Sequence, residues 1–363
     1  MTTYDAVDLF AGPGGWDVAA RRLGLKVLGI EFDDTAVATR RAAGHPTIHG
    51  DVRDHGPATI TTPGLIASPP CQTFSMAGKG AGRAALDTVS ELARAMARRE
   101  PVNLSAFSDP RTALVLEPLR WALEAIDLGR PYQWLAFEQV PTVLPVWNLY
   151  ADILRGEGYR VDAGYLHAEQ YGVPQTRKRA ILVARFDGPA SLPKPTHSRY
   201  YPRTPDRLDP GVKPWVSMAE AIGWGLPRRP SPTITGGGTE TGGAEPIAKL
   251  ARYTSDPTWV SRPVGMRRNS GPGAAREPRP IDTPSFTIRA QGSGSHPSGT
   301  EWVAPDGSSV RVTVEEAARL QSFPDGYPWR GTKGKRFLQV GNAVPPKLAE
   351  AILTGVARAS RTV

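Results

Sequence analysis

Residues 8–16 read Asp8-Leu9-Phe10-Ala11-Gly12-Pro13-Gly14-Gly15-Trp16 and lie between a short apolar run and a helical pattern. Glycine lets the backbone turn sharply and approach a ligand closely, so the segment predicts a tight strand-to-helix turn. The glycine spacing differs from the GxGxxG pattern of dinucleotide-binding folds. By itself, such a turn is as compatible with a purely structural role as with ligand binding.

Apolar runs and helical patterns alternate over residues 1–186, which we interpret as one domain. This alternation indicates an α/β fold, a mostly parallel sheet with helices on both faces. The predicted strands are Ala6–Phe10, Val27–Glu31, Leu65–Ser68, Trp134–Glu138 and Ala180–Phe186. The predicted helices are Trp16–Leu23, Thr35–Ala43, Thr112–Ile126 and Val146–Gly156. Ligands of such sheets bind at the carboxyl ends of the strands.

The rest of the chain divides into two parts. Residues 187–299 are rich in proline, glycine and arginine, with interspersed aromatic residues, and predict a second, small domain of short strands and loops. Residues 300–363 return to helical patterns, over Glu315–Phe323 and Pro345–Ala359. We expect this C-terminal segment to pack back on the first domain.

The chain is basic, with 44 lysines and arginines against 35 acidic residues among its 363 residues, and its pI is about 9.8. A balance of this kind favours a polyanionic partner, of which nucleic acid is the commonest. A basic surface without a specific partner is the alternative.

Several function classes are disfavoured by composition. A single cysteine allows no intrachain disulfide and no cysteine cluster, and the six histidines lack ligand-like spacing, so we expect no metal. No apolar run approaches the roughly 18 residues that cross a bilayer, and no secretory signal is visible. We therefore expect a cytoplasmic protein without membrane association, and a monomer.

The segment Ser68-Pro69-Pro70-Cys71-Gln72 carries the clearest chemical signal. It follows a predicted strand, which places Cys71 at the ligand edge, and the two prolines fix the backbone there. A thiolate at this position is a strong nucleophile, and nearby arginines favour the ionised form. A buried, inert cysteine is the alternative, and its position and the prolines make that the weaker interpretation.

Carboxylates follow two of the other predicted strands. Glu31 ends the second strand, where an acid accepts hydrogen bonds from ribose hydroxyls. Asp51, in Gly50-Asp51-Val52, is placed to bond an adenine amino group. Glu138, in Phe137-Glu138-Gln139-Val140, is placed to bond the ring nitrogen and amino group of a cytosine.

Two further segments carry polar groups toward the same edge. In Gln175-Thr176-Arg177-Lys178-Arg179, the two arginines point to one face of an extended chain, where they can orient Glu138 or neutralise a phosphate. Gly341-Asn342-Ala343-Val344-Pro345-Pro346 is predicted to begin the last helix. Asn342 is either a ligand-binding residue or a plain helix cap.

Taken in order, these segments resemble the DNA cytosine-5 methyltransferases, from Asp8 to about Ile352, with only the middle domain lacking the resemblance. The resemblance implies a Rossmann-like, class I methyltransferase fold with a small target-recognition domain over residues 187–299. It further implies methyl transfer from S-adenosylmethionine to C5 of cytosine in duplex DNA, with base flipping. It implies a possible cognate restriction endonuclease and a cytoplasmic, nucleoid-associated location.

Site residues follow from the resemblance position by position. The implied catalytic residues are Cys71 as nucleophile, Glu138, Arg177 and Arg179. The implied cofactor-binding residues are Phe10, Ala11, Gly12, Gly14, Gly15, Glu31, Phe32, Asp51, Val52, Pro70, Asn342 and Ala343. The DNA-binding arginines of the middle domain are Arg199, Arg203, Arg207, Arg262, Arg267, Arg268, Arg276 and Arg279.

The sequence departs from the family pattern at two places. Gln139 stands where the family has asparagine after the catalytic glutamate. The stretch from Thr73 to Ser108 is longer than the usual mobile loop and carries an amphipathic pattern through Leu86, Val89, Leu92 and Met96. We interpret the insertion as a helix on a flexible lid that closes over the flipped base.

Three alternatives remain open from the sequence. One is a DNA-binding homologue with weak or no catalysis, which Gln139 and the long lid favour. A second is a cytosine-5 methyltransferase that acts on RNA, as part of the family does. The third is a nicotinamide dehydrogenase, which the absent GxGxxG pattern and the Pro70-Cys71-Gln72 segment disfavour.

Overall fold

The computed structural model describes residues 3–70, 81–102, 110–222, 260–263, 279–280, 282–286, 300–303 and 309–357. The strands are β1 (Ala6–Leu9), β2 (Val27–Glu31), β3 (Thr47–His49), β4 (Gly64–Ala67), β5 (Trp134–Gln139), β6 (Arg160–His167), β7 (Gln175–Thr176), β8 (Lys178–Arg185), β9 (Val260–Pro263), β10 (Arg279–Pro280), β11 (Ser285–Phe286), β12 (Thr300–Val303) and β13 (Ser309–Arg311). The helices are α1 (Gly15–Arg22), α2 (Asp34–Ala42), α3 (Ala81–Ala97), α4 (Pro110–Ala113), α5 (Glu117–Asp127), α6 (Leu144–Gly156), α7 (Met218–Ile222), α8 (Val314–Leu320), α9 (Lys333–Asn342) and α10 (Pro346–Val356).

Seven strands form the main sheet, in the order β3-β2-β1-β4-β5-β8-β6. The first five in this order run parallel, and β8 lies antiparallel between β5 and β6. The register places Leu9 beside both Ile30 and Ala67, and Ala67 beside Phe137. The carboxyl ends of β2, β1, β4 and β5 therefore meet at one edge of the sheet.

Alternate residues of the central strands enter two separate cores, since successive side chains of a strand point to opposite faces. One core packs Leu9, Leu65 and Phe137 with α3, α5 and α6. The other packs Ala6, Ile66 and Ala136 with α1 and α10. The predicted α/β fold, with its mostly parallel sheet covered on both faces, is confirmed. In the part of the chain that the structure describes, no helix is long and apolar enough to cross a membrane.

Among the elements that the sequence analysis did not predict, β3, β6 and α9 have a weak apolar signal. Strand β3 has only three residues, and β6 is an edge strand whose residues are mostly only partly buried. Helix α9 contains two glycines within Lys333–Asn342, and glycine lowers helix propensity. A pattern of buried positions is therefore not visible in these segments.

The single helix predicted over Thr112–Ile126 was wrong. The structure has the short α4, a 3-10 turn at Leu114–Leu116, and then α5. Pro118 lies in the first turn of α5. Backbone N–H groups in a first turn have no acceptor within the helix, so a proline, which lacks this group, costs no hydrogen bond there. The proline therefore starts a new helix at this point.

Helix α3 lies within the insertion that the sequence suggested to be a mobile lid, and the structure corrects this expectation. Val89 and Ala93 of α3 are fully buried in the core shared with α5 and α6. Arg99 follows the helix and donates to Asp127 over 2.7 Å and to Glu157 over 2.7 Å. The apolar spacing recognised in the sequence thus anchors α3 to the core. Residues 73–80 and 103–108 of the insertion lie outside the described residues.

The structure describes the predicted middle domain only in part. Residues 187–222, called the arm below, pack on the first domain: the Leu192 amide donates to Asp162 of β6 over 2.8 Å, and α7 shares a core with α8. Strands β9, β10, β12 and β13 form a small four-stranded sheet. Its strands lie on both sides of residue 300, where the sequence prediction placed the domain boundary.

Candidate active site

Four segments meet where the parallel strands end. They are the glycine loop Phe10–Gly15 after β1, Glu31 at the end of β2, residues 68–70 after β4, and Glu138 in β5. The sequence prediction placed all four at this edge. Cys71 follows Pro70 directly but lies outside the described residues.

The backbone of the glycine loop has positive φ angles, which residues other than glycine rarely adopt. Gly12 and Gly14 have φ angles of +54° and +103°, in the left-handed region, and Phe10 shares this conformation at +62°. The Gly12 amide donates to Glu31 Oε2 over 2.7 Å. A Cβ added at Gly12 would have no heavy atom within 4 Å, so the loop borders open space.

Gly15 begins α1 in close contact with the C-terminal segment. A Cβ at this position would lie 2.2 Å from the carbonyl oxygen of Val344. Only glycine allows this approach, which brings Asn342 and Ala343 to the glycine loop from the far end of the chain.

The Glu31 carboxylate organises the backbone on both sides of it. Besides Gly12, it accepts hydrogen bonds on Oε1 from the amides of Phe32, over 2.9 Å, and Asp33, over 2.7 Å. A carboxylate has about four acceptor positions, so Oε2 keeps one for a further donor. The adjoining Phe32 side chain is 73% exposed, which is unusual for a large apolar residue.

Asp51 lies after β3 and is paired with a neighbour. Its Oδ1 accepts from the Arg53 amide and from Arg53 Nε, each over 2.9 Å, and its Oδ2 accepts from Arg53 Nη2 over 2.6 Å. The hydrogen bonds from Arg53 lower the pKa of Asp51, so its carboxylate is ionised at neutral pH. The next residue, Val52, is buried in the core.

The segment before Cys71 is held by two side chains. Trp16 Nε1 donates to Ser68 Oγ over 3.0 Å. Gln139 Nε2 donates to the Pro69 carbonyl oxygen, and Gln139 Oε1 accepts from the Val140 amide over 2.5 Å. Gln139 therefore joins the end of β5 to the backbone two residues before the predicted nucleophile.

Glu138 is 5% exposed and forms an ion pair with Arg179, at 2.8 Å between Glu138 Oε1 and Arg179 Nε. The pair joins β5 to the start of the antiparallel strand β8. This contact is one of the two roles that the sequence suggested for the arginines.

Arg177 has one hydrogen-bond partner that differs from the ion-pair partner of Arg179. Its guanidinium is buried and donates from Nη1 to the Gly341 carbonyl oxygen over 3.0 Å. The reason is its position in the one-residue link between β7 and β8. Gln175 and Gln321 continue this connection, because Gln175 donates to Gln321 over 2.6 Å and Gln321 donates to the Ala343 carbonyl over 2.6 Å.

Asn342 is the last residue of α9, whereas the sequence suggested that its segment begins the final helix. The chain then runs through Ala343 to Pro345, and α10 begins at Pro346. Two adjacent prolines separate the helices, since the residue before a proline disfavours helical backbone. Asn342 is exposed, and Ala343 is buried with its amide donating to Gln339.

Asp8 is a buried acid that sequence reasoning did not single out. It lies in β1, two residues before the glycine loop, and neither carboxylate oxygen has a hydrogen-bond partner among the described residues. Burial, reinforced by the nearby Asp17, raises the pKa of Asp8 well above its usual range. Its signal in the sequence was a charged residue inside an otherwise apolar strand.

Within the described ranges, no three or more His, Cys, Asp or Glu residues cluster in a way that could hold a metal ion. The site's polar groups are instead carboxylates and backbone amides, and the exposed Phe32 ring lies beside them. This set suits an organic ligand with hydroxyl and amino groups.

Sequence comparison gives a family match over most of the chain. The family model for C-5 cytosine-specific DNA methylases matches residues 4–106 and 244–358. The Type II methyltransferase M.AplI from Arthrospira platensis is 28% identical over 355 residues, covering 96% of this chain and 84% of that protein. The Type II methyltransferase M.Eco47II from Escherichia coli is 30% identical over 377 residues, covering 96% and 78%.

Solved structures share the fold. A putative DNA modification methyltransferase encoded within an E. coli prophage has a TM-score of 0.56 and 20% identity, covering 97% of this chain and 98% of its own. The S. pombe Dnmt2 methyltransferase has a TM-score of 0.59 and 14% identity, with the same coverage.

Proposed function

The chain belongs to the family of C-5 cytosine-specific DNA methylases, and on this premise we propose that it methylates C5 of cytosine in duplex DNA through a covalent intermediate on Cys71. The arrangement around β5 is the observation that carries the proposal. Glu138 is held by Arg179, and the next residue, Gln139, is bonded to the backbone that leads into Cys71. Two adjacent residues therefore serve the proposed site: Glu138 would bond the target cytosine, and Gln139 holds the segment that leads to the nucleophile.

Cytosine C5 is a weak nucleophile, and the proposed mechanism overcomes this in two steps. The Cys71 thiolate attacks C6, forming an S–C6 bond, and the C5–C6 π electrons make C5 nucleophilic. Glu138 bonds the N3 side of the ring, where charge develops during the attack. C5 would then take the methyl group from the sulfonium, which leaves as the thioether S-adenosylhomocysteine. A base, which we do not assign to a residue, would take the C5 proton, and the electrons of the C5–H bond would restore the C5–C6 double bond and expel the Cys71 thiolate.

The target base must leave the DNA stack to reach Cys71, at a cost of a few kcal/mol for unstacking. Glu138 is the second-last residue of β5, so we propose that a flipped base reaches it from the carboxyl edge of the sheet. Because α3 is anchored in the core, closure over the base cannot involve the whole insertion from Thr73 to Ser108.

S-adenosylmethionine would supply the methyl group, which is electrophilic because it is bonded to a positively charged sulfonium sulfur. The polar groups of the site fit it: the remaining acceptor position of Glu31 suits a ribose hydroxyl, and the exposed Phe32 ring suits a nucleoside face. Asp51 is ionised and available to an adenine amino group through Oδ2. The open space beside Gly12 and the exposed Asn342 would receive the methionine end of the cofactor.

DNA binding is proposed for the arm as well as for the small sheet. Arg199 and Arg203 are exposed, and Arg207 lies 4.1 Å above the Tyr201 ring. Burial lowers the pKa of His167 to about 4, with the positive charges of Arg199 and Lys178 adding to the effect. Lys178, the residue before Arg179, lies 3.5 Å from the centroid of the Tyr165 ring of β6.

The remaining predicted DNA contacts are located only in part. Arg262 lies in β9 and Arg279 in β10 of the small sheet, and Arg267, Arg268 and Arg276 lie outside the described residues. The relatives' designation as Type II methyltransferases supports a role beside a restriction endonuclease of the same specificity. We propose a monomer that acts where cellular DNA lies, in the cytoplasm at the nucleoid.

The nucleophile assignment predicts that Cys71→Ser abolishes methyl transfer while S-adenosylmethionine binding stays at the wild-type level. A serine hydroxyl is not ionised at neutral pH and cannot form the adduct. The measurement is transfer of labelled methyl to unmethylated duplex DNA, with cofactor affinity measured by calorimetry. Near-wild-type transfer by the variant would refute the assignment.

For Gln139, we expect that Gln139→Leu lowers kcat by roughly ten- to a hundredfold with cofactor affinity unchanged, because small displacements of a reacting group are costly. Gln139→Asn is the informative companion, since it keeps the amide but shortens its reach to the Pro69 carbonyl. Gln133→Leu, at an exposed site before the same strand, is the matched control. Full activity of Gln139→Leu would show that the bond to Pro69 has no role in catalysis.

The DNA-binding role of the arm predicts that Arg199→Glu with Arg203→Glu raises the DNA Kd by about tenfold or more and lowers its salt dependence. Cofactor affinity should not change. Lys26→Glu with Arg160→Glu makes the same change of charge at exposed residues near the amino ends of β2 and β6. If both double variants weakened DNA binding equally, only the net charge of the chain would matter. The proposal that the arm binds DNA would then be wrong.

A further inference from the structure

Arg40 of α2 is completely buried beside the glycine loop, although arginine is rarely found inside proteins unless paired. Its partner is Asp17 of α1, which it contacts over 2.7 Å through Nη1 and 2.8 Å through Nη2. Nη1 also donates to the Ala11 carbonyl oxygen over 3.2 Å. The ion pair therefore reaches the backbone of the loop itself.

All five N–H donors of the Arg40 guanidinium have acceptors. Besides Asp17 and Ala11, Nη2 donates to the Pro46 carbonyl over 3.2 Å and Nε donates to Thr47 Oγ1 over 3.0 Å. Lysine has only three N–H donors, all on one nitrogen atom, and cannot make these five hydrogen bonds. The site is therefore specific for arginine.

Gly29 of β2 provides the space for this side chain. A Cβ added at Gly29 would lie 2.0 Å from Arg40 Nη2 and 2.7 Å from Ala11 Cβ. Because Gly29 has no side chain, the Arg40 guanidinium can lie between β2 and the glycine loop.

A second contact holds the loop from the C-terminal part of the chain. The Tyr327 hydroxyl donates to the Pro13 carbonyl oxygen. Burial lowers the pKa of His45 to about 4, so His45 is neutral, and Arg21 donates to its Nδ1 over 3.1 Å. Its Nε2 therefore carries the proton and donates to Tyr327 over 3.1 Å, which leaves the tyrosine proton for Pro13.

These contacts fix three successive residues of the loop. The Ala11 carbonyl is held by Arg40, the Gly12 amide by Glu31, and the Pro13 carbonyl by Tyr327. A buried ion pair adds little net stability, because desolvation offsets its attraction. What Arg40 and Asp17 contribute is a defined geometry for the loop.

We propose that Arg40 and Tyr327 are positioning residues that hold the glycine loop in its cofactor-binding shape before the cofactor arrives. A loop that is ordered in advance loses less conformational entropy on binding, so its order increases the affinity for the cofactor. The inference rests on the proposed S-adenosylmethionine site. Neither side chain is required to touch the reacting atoms.

The test is S-adenosylmethionine binding by calorimetry to the full chain carrying Arg40→Lys or Tyr327→Phe. We expect the Kd to rise about tenfold or more for the first and severalfold for the second. The kcat at saturating cofactor and the DNA Kd should stay near wild type, so that the cofactor KM carries the effect. Tyr327→Phe keeps the ring packed against Phe323 and Trp329 and removes only the hydroxyl.

Arg41→Lys, at the exposed neighbour of Arg40, and Tyr4→Phe, at a half-buried tyrosine, are the matched controls. A wild-type Kd in both Arg40→Lys and Tyr327→Phe would overturn the proposal. So would an equal loss of kcat, DNA binding and cofactor binding, since that pattern reports general destabilisation. Failure of the wild-type chain to bind the cofactor would instead contradict the proposed function, and the positioning role with it.

Discussion

The first residue of α1 has no room for a side chain. A Cβ at Gly15 would meet the Val344 carbonyl oxygen at 2.2 Å, so the amino end of α1 and the segment after α9 touch backbone to backbone. Helix α10 then packs along α1 in the second core. The two ends of the chain are thereby joined at the carboxyl edge of the sheet, and the glycine loop, Asn342 and Tyr327 become parts of one site.

Hydrogen bonds extend this junction across the sheet. Arg177 holds the Gly341 carbonyl, and Gln321 holds the Ala343 carbonyl. Arg179 pairs with Glu138, so Arg177 and the start of β8 connect the end of α9 to the end of β5. Two arginines separated by one residue therefore contact two different parts of the chain, a backbone carbonyl of α9 and a carboxylate of β5.

Much of this architecture was predictable from local pattern. Strand β2 has the predicted bounds, Val27–Glu31, because its apolar run is uninterrupted and ends in the carboxylate that the site requires. Contacts between distant segments were not predictable in the same way. Nothing local to Arg40 indicates Asp17, and nothing in Gln139 indicates that its longer side chain reaches Pro69. The amphipathic pattern of α3 was visible, but its partners α5 and α6 were not, and the helix was therefore assigned to a mobile lid.

The most direct test of the proposed reaction is methylation of unmethylated duplex DNA by the wild-type chain with labelled S-adenosylmethionine, followed by bisulfite sequencing. We expect label on C5 of cytosines within one short sequence. Absence of label on DNA while the cofactor is bound would contradict it, and would redirect the assignment to an RNA substrate or to a DNA-binding protein without catalysis.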